Sequence, residues 1–207
     1  MSKISEEQKQ AITDKLNSME LCRGLGTNES ACSMAAINLA LSGKLSDHIP
    51  ECMSIAIGKW IIYIQDKMPK EMRNSEKWKS LLPNAAGTGR EKECERIAII
   101  MDWIWITILP NLQLFADLHG FGKAWKHMLI EKTPNAANAA AIAAQGFYIA
   151  VDAADAAASA ARLAASSSAS GTATYTSYVV VAVETAAIDD IWAKIDPCGL
   201  LEKLINA

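Results

Sequence analysis

Gly87-Thr88-Gly89-Arg90 is the segment whose residue types come closest to a chemical motif. Two glycines let an anion approach the main chain. Backbone N–H groups at a helix start attract negative charge, and an arginine fork matches a phosphate edge. Arg96 lies about one and a half helical turns further on and could add a second cation. The spacing is not that of a Walker A motif, and the Lys-Ser/Thr pair is missing. No strand precedes the segment, so it is not a dinucleotide fingerprint either. The expected ligand set is Gly87, Thr88, Gly89, Arg90 and Arg96, with an exposed Trp103 to stack on a base. The competing reading of the same residues is structural: a tight turn with Thr88 as helix cap and Glu91 closing a capping box.

Other reactive residue types form weaker patterns. His48 and Cys52 are four apart and would share a helical face, but no second pair at ligand spacing accompanies them, and no metal is expected. His119 and His127 have no carboxylate or cysteine partner nearby in sequence. Glu91, Glu95 and Asp102 fall on one helical face, and a narrow solvated stripe explains them better than a buried acid. The five cysteines, Cys22, Cys32, Cys52, Cys94 and Cys198, contain no CxxC pair and read as free thiols in packed helices. The six tryptophans read mainly as core. Nothing in these patterns favours an enzyme, and no cofactor is expected.

Composition excludes further classes. Of 207 residues, 51% are hydrophobic and 21% charged, enough to bury a core. A net charge of −3 argues against nucleic acid as a partner. Residues 1–133 carry a balance of +1 and residues 134–207 a balance of −4, so an anionic ligand should prefer the first part. The opening residues lack the apolar core of a signal peptide. The apolar run Ile97–Leu109 is too short to span a bilayer and contains Asp102. Asp152, Asp155 and Arg162 weigh against membrane insertion of the alanine tract. A cytoplasmic protein without a membrane partner is expected.

The elements that must position these residues are helices. Ile4–Leu21 shows an apolar face, with Ser2 or Ser5 as cap and Gly24 and Gly26 beyond its end. Thr27-Asn28 opens a second helix that ends at Gly43. A third spans about 50–67, with Pro50 in its first turn and Trp60 inward. Asn74-Ser75 caps a short helix over Glu76–Leu82, stopped by Pro83. A helix over about 89–109 is apolar nearly all round from Ile97, which predicts a central buried position. Pro110 breaks or kinks it. Gly122–Lys132 forms another amphipathic stretch, and Asp196-Pro197 caps a last short helix.

Thr133-Pro134 opens the most unusual segment. Between Ala136 and Ala165, 17 of 30 residues are alanine, with Asn138, Gln145, Asp152 and Ser159 repeating every seven. That predicts a long helix with one wet face. Ser166–Gly171 reads as a turn. Tyr175–Val183 has the composition of a strand but no partner strand, so a helix over about 173–194 is expected. The predicted fold is all-α: an irregular bundle over 1–133 and an alanine-rich antiparallel hairpin over 134–207. Alanine faces bury little area each, so a homo-oligomer is expected, with Ala157, Val180 and Val183 at the interface. The favoured function is a non-enzymatic interaction protein (adaptor, inhibitor or immunity-type factor). The alternative is a protein that binds or sequesters a small anion or nucleotide at Gly87–Arg90.

Overall fold

The computed structural model describes residues 4–144 and 191–207. They are mostly helical, as the residue patterns predict. The chain divides into two compact units, residues 1–96 with 197–207, and residues 97–196. The boundary expected at 133/134 falls inside the second unit, and the terminal helix belongs to the first.

Serine caps set the helix starts of the first unit. α1 spans Glu6–Asn17, and Ser5 and Gln8 close a reciprocal capping box in front of it. It ends earlier than expected, at the Ser18 cap. The next residues are not helical. β1, Glu20–Leu21, pairs in parallel with β2, Ser30–Ala31, correcting the expectation of an entirely helical chain. Gly26 makes this turn possible: its φ is +78°, and a Cβ there would collide with the Ser30 carbonyl. Thr27 starts no helix. Its hydroxyl accepts from Glu29 N and Ser30 N at 3.2 and 3.3 Å, which closes a local turn instead.

α2 spans Ser33–Ser42, capped by the Cys32 sulfur, and ends in left-handed Gly43. The stretch 43–54 is irregular, held by Asn38 Nδ2 donating to the Ser46 and His48 carbonyls, both at 2.7 Å. The third helix therefore starts at Ile55, not Pro50. α3, Ile55–Lys67, fully buries Ile57, Trp60, Ile61 and Ile64, and it is the inner helix of this unit. α4 spans Lys70–Arg73, and α5 spans Glu76–Ala86 behind the Ser75 cap. Pro83 does not stop α5. Burial of Leu82, Pro83, Ala85 and Ala86 carries the helix through the one hydrogen bond the proline removes.

The second unit opens within α6, Glu93–Trp103, whose residues from Ile97 onward belong to it. A π-helical turn follows over Ile104–Ile108, then α7, Leu109–Asn111. The wide turn falls where the Pro110 ring would press on the carbonyl four residues earlier. Ala98, Asp102 and Ile106 are exposed at intervals of four, so this segment is not enclosed on all sides as its apolar content predicted. Trp103 and Trp105 are both buried.

α8 spans Gln113–Leu118 and α9 spans Gly122–Glu131. α10, Pro134–Ala143, opens on the Thr133 cap and the proline at its first position, as expected. It packs on α9 and buries Ala136, Ala137, Ala140 and Ala141. α11 spans Ile191–Ile195. α12 spans Pro197–Asn206 and packs on α3 and α5 of the first unit. The hairpin turn at Ser166–Gly171, the segment Tyr175–Val183, and Ala157, Val180 and Val183 lie outside the described residues. Among the described residues no helix is long and apolar enough to cross a membrane.

Candidate functional site

The loop between α5 and α6 gathers most of the residues with anion-binding character, and its own hydrogen bonds decide what each can do. Gly87 ends α5. Thr88 does not cap the following helix, which begins only at Glu93. Its hydroxyl donates to the Ala85 carbonyl at 2.8 Å and accepts from Ser54 N at 3.1 Å. Gly89 takes a φ of +63°, with the Glu91 carboxylate packed over its α carbon. The Gly89 N–H donates to the Cys52 carbonyl at 2.8 Å, so it is not available to a ligand.

Arg96 is buried and engaged on all three of its nitrogens. Nε donates to the Leu204 carbonyl at 3.2 Å, Nη1 to Gly89 at 2.9 Å and Nη2 to Thr88 at 3.0 Å. It ties α12 to the loop. A buried cation satisfied by carbonyls holds structure; here it does not stand open as a clamp. Trp103 lies in the second unit, buried, with its indole N–H donating to the Ile195 carbonyl at 2.7 Å. It offers no exposed ring for a base.

Arg90 is different from Arg96. Its side chain is half-buried, and its Nε is shielded from solvent with no hydrogen-bond partner. The guanidinium lies near Cys52. Burial pushes the Cys52 thiol up, and Arg90 pulls the other way without reversing the outcome.

Two residues unremarked in the sequence hold the ends of α3. The Glu93 carboxylate accepts from Ile55 N at 2.8 Å and Ala56 N at 2.9 Å, while the Ser54 hydroxyl accepts from Ile57 N at 3.3 Å. At the other end, Arg73 donates from Nη1 to the Gln65 and Met68 carbonyls at 3.0 and 3.2 Å, and from Nε to Leu21 at 3.1 Å. A carboxylate at the N-terminus and a cation at the C-terminus match the helix dipole. No local spacing could reveal the Glu93 contact, whose partners lie 37 and 38 residues away, whereas Arg73 reaches back only five and eight residues to the end of α3.

A groove of about 790 Å³ adjoins the loop, lined by Lys9, Asn84, Thr88, Lys92, Arg96 and Ile205 among others. Its charges are largely answered within the chain. Lys9 pairs with Glu6 at 3.0 Å, Lys92 donates to the Ala207 carbonyl, and Glu91 also lines the wall. Arg90 is not among its lining residues.

No family model, curated protein or solved structure matches this chain. Its chemistry therefore has to be read from its own residues. His48 and Cys52 sit in the irregular stretch before α3, not on a shared helical face. His119 stacks on Phe115 at 4.1 Å, with Nδ1 2.8 Å from that residue's carbonyl.

The second unit presents a different kind of surface. Ile106, Leu114, Leu118, Ile130 and Ile142 are 64–75% exposed. Leu114 and Leu118 are four apart on α8 and share one of its faces. In the first unit the most exposed large apolar residues are Leu25 and Tyr63, at 41% and 38%.

Proposed function

We propose that this chain is a non-enzymatic helical interaction protein that associates with a second copy of itself through its second unit. The observation that carries this reading is the set of five large aliphatic side chains left in water there. Burying one such residue stabilises by roughly 1.5–3 kcal/mol, so five exposed together represent a substantial unspent driving force. Apolar side chains that adjoin one another on a soluble chain mark association surfaces, and Leu114 and Leu118 share one face of α8. The alanine-rich composition points the same way, because alanine side chains offer little apolar area to bury within one chain. A symmetric pair is the simplest way to cover such a face with matching chemistry.

Light scattering on the full chain tests this. The reading expects a mass of at least twice the single-chain 22.3 kDa at micromolar concentration. Leu114→Glu with Leu118→Glu should return it to the single-chain mass. If Ala157→Glu dissociates the assembly and the α8 pair does not, the interface lies on the alanine tract. A single-chain mass for the unaltered protein would defeat the proposal.

A further inference from the structure

We propose that Cys22 and Cys32 are a reversible redox pair, joined as a disulfide by exchange with a low-molecular-weight disulfide such as oxidised glutathione. The inference is independent of the self-association reading, since both residues belong to the first unit. Both are free thiols. The parallel ladder brings them together. β1 and β2 pair Glu20 with Ser30 and Leu21 with Ala31, so the next step of the same register sets Cys22 beside Cys32. The ladder continues into that step: the Cys22 N–H donates at 3.0 Å to the Ala31 carbonyl, the group that directly precedes Cys32. Cys32 itself is still extended, with φ −67° and ψ 163°. Neighbouring strands run about 4.8 Å apart, and a disulfide needs roughly 4.4–6.8 Å between its α carbons.

Successive side chains alternate across a strand. Leu21 and Ala31 are fully buried on one side, while Glu20 is exposed and Ser30 half-buried on the other. Cys22 and Cys32 return to that outer side. Each sulfur holds only a weak contact: Cys22 Sγ donates to the Ser30 carbonyl at 3.4 Å, and Cys32 Sγ accepts from Ala35 N at 3.3 Å. Rotation about each Cα–Cβ bond exchanges these contacts for an S–S bond. The main chain beside them is anchored. Leu21 N donates to Asn74 Oδ1 at 2.7 Å, and the Leu21 carbonyl accepts from Arg73 Nε and Asn74 Nδ2 at 3.1 and 3.0 Å. Two thiols held on adjacent, fixed strands close on each other in preference to capturing a second small thiol.

Cys22 attacks first. It is half-buried, whereas Cys32 is buried and its burial pushes the thiol up. Deprotonated Cys22 attacks one sulfur of the oxidant, and a small thiolate leaves with the electron pair of the broken S–S bond. Cys32 then gives up its proton and attacks the Cys22 sulfur, expelling the second small thiolate. Two cysteine thiols are oxidised to one disulfide, the oxidant is reduced to two small thiols, and the two protons balance the two thiolates released.

The test exposes the folded full chain, freed of reductant, to oxidised glutathione. Remaining thiols are then blocked, and the chain is digested with trypsin without reduction. Cleavage after Lys15, Arg23 and Lys44 separates the two cysteines, with Cys22 in residues 16–23 and Cys32 in residues 24–44. The expected product is these two peptides joined, two hydrogen masses below their sum, and parted again by dithiothreitol. Cys32→Ser should leave glutathione on Cys22. Cys22→Ser should lose the linked product and leave Cys32 unmodified. The unaltered chain alone can overturn the proposal. Glutathione that stays on Cys22, a link from Cys22 to a different cysteine, or two unreacted thiols under excess oxidant would each do so. So would a linked product that forms only in urea.

Discussion

The two units solve the same problem, how to finish a helix, by different means. The first adds to its local caps side chains from other elements: Glu93 and Arg96 reach across tens of residues, and Arg73 reaches back from α4. Glu93 closes the start of α3, Arg73 its end, and Arg96 joins α12 to the 88–89 turn. In the second, the caps described are local: Thr133 at α10 and Lys132 in the left-handed conformation at the end of α9. Its longer hydrogen bonds come from tryptophans to carbonyls, Trp103 to Ile195 and Trp125 to Leu109. Among the described residues the first unit exposes Leu25 at 41%, while the second leaves five large aliphatic residues at 64–75%. The second unit's exposed aliphatic side chains are the face that the self-association proposal assigns to a second copy.

The sharpest way to break this comparison is at Arg96. Replacing it by alanine removes three hydrogen bonds from a buried cation and leaves their carbonyls without donors. Hydrogen bonds to charged groups contribute about 1.5–3 kcal/mol each and are not additive, so Arg96→Ala should destabilise by about 3 kcal/mol or more in urea unfolding. A loss below 0.5 kcal/mol, the range of ordinary surface substitutions, would mean that Arg96 is free, as a ligand clamp would be.

Glu93→Ala should cost less. It exposes the first two N–H groups of α3 and removes a favourable charge from its positive end, worth about 1–2 kcal/mol. Glu93→Gln keeps an acceptor and should recover part of that loss. An alanine variant as stable as the parent would show that Ser54 alone suffices. The second unit should respond in the opposite sense. Leu118→Glu changes a residue already in water, so the stability of the single chain should move by less than about 0.5 kcal/mol while association weakens. A large loss of stability would mean that Leu118 packs within its own chain.

How much of this was legible depends on distance along the chain. Ser5, Ser75, Gly43 and Thr133-Pro134 mark helix ends in the sequence because a cap acts within four residues, and each acts where its type predicts. Thr88 carries the same signal and does something else. Its hydroxyl serves Ser54, 34 residues away, which no local pattern encodes. Arg96 looked like a ligand clamp because sequence records its charge but not the three carbonyls around it. Pro83 looked like a stop because propensity does not see the burial that holds its helix together. The apolar run from Ile97 predicted a fully enclosed helix, but the π turn and the exposed stripe through Asp102 and Ile106 place one side in water. Of the candidate anion residues, only Arg90 keeps an unmet donor, and this appears only once its neighbours are in place.

The most direct test of the central claim is hydrogen–deuterium exchange of the full chain at two concentrations well apart. Exchange reports local opening, so a surface covered by a second copy gains protection as concentration rises. The amides of α8, α9 and α10 should slow at the higher concentration, while those of α1 to α5 and α12 keep the same rates. Rates that are independent of concentration in both units would contradict the account.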